Sequence, residues 1–391
     1  MFGKTRVSHI GLIFAAVSLL SWVYLLVLHG DFWQVGRLQA ERETNAQVGP
    51  IAILIPARNE AEHIGLAVSS LLTQSCANVL HVYVVDDNST DGTAEAARAA
   101  AADMGASSRL TVLSGRPLPS GWTGKLWAVQ QGIEAALESR PEFLLLTDAD
   151  IEHDHDNLAT LVSIAQREGY DLVSFMVRLH CHSPAEKLMI PALVFFFFML
   201  YPPLWVRSPR KRIAGAAGGC MLIRPSALER AGGIAAIRSE IIDDCALASE
   251  VKNSGGRVWL GISATTRSLR AYESFGEIER MIARTAFNQL GHSALLLVGA
   301  VVGMALVYVL PVVLIFTGDI RLMALGLAAY VLMVTTYVPM VRFYGLGLLW
   351  ALTVPFSALF FTAATIHSAM KFWTGKGGEW KGRAQDVSGS V

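Results

Sequence analysis

Apolar residues fall along this chain in two rhythms. The first is the long unbroken run. Ile10 to Leu28 is almost wholly apolar, about the length of ~20 residues that a bilayer-spanning helix needs. After Gly291 come Ser293–Thr317, Leu322–Val341 and Leu346–Met370, separated by tight breaks at Gly318–Arg321 and Arg342–Gly345. These predict three more spanning helices. Leu188–Val206, with the run Phe195–Phe198, is apolar for the length of a short span, but Pro191, Pro202 and Pro203 interrupt it and Arg207, Arg210, Lys211 and Arg212 follow it. That combination predicts an interfacial or re-entrant segment held by basic residues at anionic headgroups, with a buried core helix as the alternative.

The second rhythm runs from Pro50 to about Ser268, where short apolar runs alternate with helical patterns. Ile51–Ile55, Val82–Val85, Leu110–Leu113 and Phe143–Leu146 read as buried strands. Glu60–Leu72, Gly92–Ala102 and Trp127–Glu138 read as helices between them. Strand–helix units of this kind build a parallel sheet. The expected organisation is an anchor over 1–30, an α/β domain over 50–290 containing the 188–206 segment, three spans over 293–370 and a polar tail over 371–391.

Composition agrees with a membrane protein. The apolar fraction is 53% and the charged fraction 16%, against about 45–50% and 25% in soluble domains. Lys4 and Arg6 precede the first run, but no small-residue cleavage site follows it, so an uncleaved anchor is expected. Basic and acidic residues balance at 32 each, which leaves no global field to draw in nucleic acid. Cys76, Cys181, Cys220 and Cys245 show no paired spacing and read as reduced thiols. Three C-terminal spans place Lys371, Lys376, Lys381 and Arg383 opposite the α/β domain. Either the positive-inside preference is overridden or one stretch is re-entrant.

Candidate chemistry clusters where strands end, because ligands of open α/β sheets bind beyond the carboxyl ends of strands. The first strand runs into Pro56-Ala57-Arg58-Asn59-Glu60, where Pro56 fixes the turn and Asn59 caps the next helix. The second ends in Asp86-Asp87-Asn88-Ser89-Thr90-Asp91. Two adjacent carboxylates there are poor packing but suit a base N–H or ribose hydroxyls, whereas Asp91 suits a helix cap. Gly121-Trp122-Thr123-Gly124-Lys125 offers backbone freedom and a mobile point charge for phosphate, without being a P-loop; an ordinary surface loop is the bland reading.

The sharpest feature is Leu146-Thr147-Asp148-Ala149-Asp150, two carboxylates delivered at alternate positions by an apolar strand. Mg²⁺ and similar hard cations take one or two such carboxylates together with substrate phosphates. Glu152, Asp154 and Asp156 suit the start of the following helix. The loop Gly215–Cys220, with Gly218 and Gly219, either leaves room for an acceptor and sugar beside the strand Met221–Ile223 or is a tightly packed turn. Asp243 and Asp244 open a helix; one stabilises its N-terminus and the other can act as a general base. Arg280 and Arg284 lie one turn apart on Glu277–Gln289, where they either offset diphosphate charge or anchor the helix. His180-Cys181-His182 alternates faces and is a poor metal site.

Taken in order, Pro-x-x-Asn-Glu, Val-Asp-Asp-x-Ser-x-Asp, Gly-Lys, Asp-x-Asp, Gly-Gly and Asp-Asp-x-x-Leu resemble a family 2 glycosyltransferase of the GT-A fold over roughly residues 50–290. With its anchor, three C-terminal spans and the tail Trp380-Lys381-Gly382-Arg383, the chain is most similar to the hopene-associated glycosyltransferases of bacterial hopanoid gene sets. The resemblance implies a Rossmann-like mixed sheet between N-terminal and C-terminal transmembrane helices, set in the bacterial inner membrane with the catalytic domain cytosolic. It implies a UDP-sugar donor, Mg²⁺ or Mn²⁺, a lipid acceptor of hopanoid or polyprenyl type, and inversion in a single displacement. On that basis Pro56, Arg58, Glu60, Asp86, Asp87, Lys125, Asp148, Gly218, Gly219, Asp243 and Arg284 bind the nucleotide-sugar. Asp148 and Asp150 hold the metal, and Asp244 is the catalytic base. Where many members carry Gln/Arg-x-x-Arg-Trp, this chain reads Met281-Ile282-Ala283-Arg284-Thr285. Only the arginine is kept, which implies a single transfer rather than processive synthesis. Two rivals stand beside lipid-hydroxyl transfer: transfer to polyprenyl phosphate, and a nucleotide-binding membrane protein without catalysis.

Overall fold

The computed structural model describes residues 2–43, 49–75, 80–375, 379–380 and 383–384. Cys76, Lys376 and Lys381, and most of the tail, lie outside the described residues. The chain divides into two compact units. One comprises Arg37–His180, Trp205–Ala271 and Gly378–Val391; the other comprises Met1–Gly36, Cys181–Leu204 and Tyr272–Gly377.

The first unit is built on an eight-stranded sheet. Its strands are β1 (Ile51–Ala57), β2 (Leu80–Asp86), β3 (Leu110–Ser114), β4 (Phe143–Leu146), β5 (Ile151–Glu152), β6 (Leu172–Arg178), β7 (Met221–Ile223) and β8 (Val258–Ser268), in the order β3-β2-β1-β4-β7-β6-β8-β5. The four strands expected from the apolar runs form its parallel half, with Ile53 opposite both Val82 and Leu145. The sheet is mixed rather than wholly parallel. β7 runs antiparallel to β4 and β6, and β5 antiparallel to β8. The cause is local: the chain enters β7 from the Gly218-Gly219 loop, and Thr147 Oγ1 donates to Gly219 O (2.8 Å) beside the finish of β4. A strand that starts where its neighbour ends must run back along it.

Helices cover both faces. Ile64–Leu72 buries Ile64, Ala67, Val68, Leu71 and Leu72, the spacing of one helix face. Gly124–Leu137 lies so close to the sheet that a Cβ on Gly132 would meet Leu54 at 3.0 Å and Val85 at 3.2 Å. Two local expectations are corrected. Pro56 lies inside β1 rather than in the turn; β4 pairs with β1 only as far as Leu54, so the missing N–H costs no ladder bond on that side. Asn59 does not cap a helix. It takes a left-handed φ of 52°, and its Oδ1 accepts from Thr90 N (2.9 Å), while the helix starts at Ile64. With Glu60 N donating to Thr93 Oγ1 and Ala61 N to Asp91 Oδ2, the first donors are satisfied by the β2 turn.

The second unit is helical. Among the described residues five helices are long and apolar enough to cross a membrane: His9–Val27, Pro184–Arg207, Ala294–Ile315, Ile320–Phe343 and Leu348–Trp373. Pro184–Leu200 opens with a capping box in which Ser183 and Glu186 satisfy each other's backbone donors. It is packed among its neighbours rather than bare: Phe195 meets Phe32 at a tilt and Tyr337 edge-on, Phe196 meets Phe361 edge-on, and Ser357 Oγ donates to Leu188 O (2.9 Å). Ala305–Val309 is a π-helical turn, and Trp22 Nε1 donates to Val307 O (2.8 Å) within it.

Candidate active site

Each parallel strand delivers its chemistry to the same sheet edge. At the end of β2, Asp86 Oδ1 accepts from Ser89 N (3.0 Å), which closes the turn. Asp87 is buried, and Arg58 Nη1 lies 3.6 Å from its Oδ2 while donating to its backbone O (2.5 Å). Gly115, at the end of β3, permits this approach; a Cβ there would stand 3.1 Å from Asp87 Cα. Arg58 therefore ties the β1 turn to the paired acids.

At the end of β4 the Asp148–Asp150 turn is braced from behind. Thr147 Oγ1 also meets His153 Nε2 (2.9 Å), and Asn157 Nδ2 lies 3.0 Å from His153 Nδ1. The imidazole is neutral, because burial pushes its pKa down to about 3. If Thr147 donates to Gly219, this network assigns His153 as a donor through Nε2 and an acceptor at Nδ1. No spacing in the sequence signals the network, which also reaches Cys220 through Asn157 Nδ2.

Lys125, at the start of the helix Gly124–Leu137, joins three elements. Its Nζ lies 3.1 Å from Asp148 Oδ1 and 3.1 Å from Asp243 Oδ2. Thr123 caps this helix at Leu126 N, and Thr123 N donates to Arg238 O (2.8 Å), so the loop before Lys125 is held at both ends. Burial alone would lower the lysine pKa, but Asp148, Asp243 and Asp244 outweigh it and hold the ammonium protonated well above its ordinary range. Burial, with Asp150 and Asp243, raises Asp148 above the usual carboxylate range against the pull of Lys125.

Asp244 is fixed by two backbone donors, Gly218 N to Oδ2 (2.8 Å) and Cys245 N to Oδ1 (2.7 Å). Burial and the neighbouring Asp243 push its pKa up to about 6, although Lys125 and the two amides pull the other way. A Cβ on Gly218 would stand 3.4 Å from Asp244 Oδ2 and 3.5 Å from Lys125 Nζ, so the glycine makes room for both groups. Pro56, Lys125, Asp148, Gly218 and Asp243 line one recess, with Leu126, Val129 and Leu146 as its apolar wall.

Arg270, just beyond β8, escapes sequence reasoning. Its Nε donates to Asp150 Oδ2 (2.8 Å) and its Nη2 to both oxygens of Glu60 (2.6 and 2.9 Å). Glu60, expected on the nucleotide, thus directs its carboxylate to Arg270. Arg284 lies in the other unit, at the C-cap of the helix Phe275–Ala283, which ends short of the expected Gln289. Glu152 pairs with Arg267, and Asp154 and Asp156 pair with Arg42; Asp156 stands at the N-cap position of the helix Asn157–Glu168, as expected of an acid at a helix start, though without a side-chain hydrogen bond to it.

The charge balance bears on a metal. Glu60, Asp86, Asp87, Asp148, Asp150, Asp243 and Asp244 stand against Arg58, Lys125 and Arg270. A diphosphate would meet surplus negative charge unless a cation came with it. No cluster of three or more His, Cys, Asp or Glu forms a cage among the described residues. Two carboxylates on one turn suit a cation shared with substrate phosphates, so Asp148 and Asp150 fit a Mg²⁺ or Mn²⁺ of that kind.

Comparison with known proteins agrees with this fold. Residues 52–232 match the profile of the family described as Glycosyl transferase family 2. A 4,4'-diaponeurosporenoate glycosyltransferase of Staphylococcus haemolyticus is 31% identical over 140 residues, covering 35% of this chain and 34% of that protein. An uncharacterized protein of Methanocaldococcus jannaschii is 27% identical over 140 residues, covering 34% of this chain and 51% of that one. The matches thus span a third to a half of these relatives. Among solved structures, a Pyrobaculum calidifontis mannosyltransferase in complex with GDP-Man and Mn²⁺ superposes with a TM-score of 0.54 at 18% identity, over 94% of this chain and 99% of that one. The α/β unit has the Rossmann-like mixed sheet of the GT-A fold.

Proposed function

Taking the α/β unit as a family 2 glycosyltransferase domain, we propose that the protein moves a sugar from a UDP-sugar to a hydroxyl of a membrane lipid, with inversion at the anomeric carbon. One observation carries this reading: Lys125, 3.1 Å from both Asp148 and Asp243, joins the Asp-x-Asp turn to the helix start that carries Asp244. The groups that would hold the diphosphate and the group that would take the acceptor proton are thereby fixed in one frame.

In this reading Asp86 and Asp87 bind the nucleoside, with Arg58 holding Asp87 in place. Asp148 and Asp150 would hold Mg²⁺ or Mn²⁺, which when bound offsets charge on the leaving diphosphate. Lys125 adds a fixed positive charge beside it. Asp244 takes the proton of the acceptor hydroxyl, and a pKa near 6 leaves it ionised at neutral pH yet more basic than an ordinary aspartate. Gly218 and Gly219 give the sugar and acceptor space. Five helices long and apolar enough to cross a membrane support a lipid acceptor, and a hopanoid is the first one to test. Polyprenyl phosphate is the second reading, but an anionic acceptor needs no base, and the raised pKa of Asp244 favours a hydroxyl.

The test is UDP release by detergent-purified protein with Mn²⁺ across a panel of UDP-sugars, with hopanoid and polyprenyl-phosphate acceptors compared. Release that requires one sugar and one hydroxyl lipid supports the proposal. Release with polyprenyl phosphate alone moves the acceptor to the second reading, and UDP binding without any transfer removes catalysis from it.

A further inference from the structure

Among the described residues, Arg270 is a cation that pairs with site carboxylates yet has no place in the reaction above. We infer that it is a positioning residue, which fixes Asp150 for a divalent cation and locks the nucleotide-binding turn of β1 to the Asp148–Asp150 turn through Glu60.

Burial makes the first part of the argument. Glu60 is 9% and Asp150 8% exposed. Two ionised carboxylates so little hydrated need a partner, and Arg270 serves both. Shape makes the second. Nε reaches Asp150 while Nη2 straddles the two Glu60 oxygens, so one planar guanidinium holds acids from two different turns at a set angle. An ammonium, a compact point charge on a flexible stem, cannot reproduce that fork.

The backbone makes the third. Leu269 N donates to Asp150 O (2.8 Å), so residue 150 is gripped through main chain and side chain by consecutive residues after β8. The ion pair engages Asp150 through Oδ2, so in this proposal Oδ1 is the oxygen offered to the cation. Groups that orient a metal-binding carboxylate in this way typically govern metal affinity by about 10–100-fold.

This inference rests on the glycosyltransferase reading, and the experiment separates the two. Mn²⁺ binding would be followed by electron paramagnetic resonance in the presence of UDP, with no acceptor, for the wild-type chain and for Arg270→Gln, Arg270→Lys and Glu60→Gln. Melting temperatures would be recorded without ligand. If Arg270 positions Asp150, Arg270→Gln and Arg270→Lys both weaken Mn²⁺ about tenfold or more, and the Lys variant fails to rescue despite keeping the charge. Glu60→Gln, which removes a charge but leaves Arg270 on Asp150, weakens it less.

Folded variants that bind Mn²⁺ within about twofold of wild type overturn the inference, whatever their melting temperatures. If Arg270→Gln does not fold, Arg270→Lys decides. A wild-type protein that binds no Mn²⁺ with UDP overturns the parent reading instead.

Discussion

At the scale of single residues the proposal stands on Asp244 and Lys125, and each gives a prediction with a sign. Asp244→Asn keeps the shape and removes the proposed base, so turnover is expected to fall about 10²–10⁴-fold while UDP binding persists. Wild-type kcat/KM should fall about tenfold per pH unit below about pH 6, as Asp244 takes up a proton in the free enzyme. The residual rate of the Asn variant should lack that limb. Lys125→Met tests the same group from its neighbour. Lys125 lowers the pKa of Asp244, so its loss should move the acid limb to higher pH, and the donor KM should rise as Asp148 and Asp243 lose their shared partner. An acid limb that stays in place in Lys125→Met would separate Asp244 from the pH dependence.

At the scale of elements, the parallel half of the sheet was legible because four apolar runs specify four strands; β1, β2 and β4 are largely buried as expected, whereas β3, at the sheet edge, is only half-buried. β6 and β8 were not read. In β8 Gly261 and Ser263 break the apolar run, and two exposed residues follow before Thr266 returns to the interior. The Asp-x-Asp turn and the Asp243-Asp244 helix start were visible because their residues are adjacent in sequence. Arg270 was not, because its partners lie 120 and 210 residues away and no local pattern marks an arginine that the fold will place between them. Glycine packing in the helical unit gives a prediction at this scale. A Cβ on Gly326 would meet Leu314 Cβ at 2.6 Å and Pro311 O at 2.8 Å, where the helices Leu310–Ile315 and Ile320–Phe343 touch. Gly326→Ala should destabilise the protein in detergent by about 1–3 kcal/mol despite its better helix propensity. Gly299, with nothing within 4 Å of its Cβ, is the control and should tolerate alanine. Equal melting temperatures for the two variants would show that the Gly326 contact relaxes freely.

At the scale of the whole molecule, the two units are interleaved along the chain, and that decides what can be cut away. The α/β unit is interrupted by Cys181–Leu204, which belongs to the helical unit. The helix Pro184–Leu200 buries Phe195 against Tyr337 and Phe196 against Phe361, and Leu188 O accepts from Ser357. Each of those three partners lies beyond Ala271. Keeping residues 37–271 alone, without the apolar N-terminal helix, would retain the whole sheet and every α/β site group, yet leave the apolar faces of this helix without cover. An exposed patch of that kind associates with lipid, detergent or itself. The shortened protein is therefore expected to sediment with membranes and, in detergent-free buffer, to elute from a sizing column only as aggregate. A monomeric, soluble 37–271 fragment that binds UDP would show that the α/β unit tolerates the uncovered helix, and would make the N-terminal and C-terminal helices dispensable for folding the site.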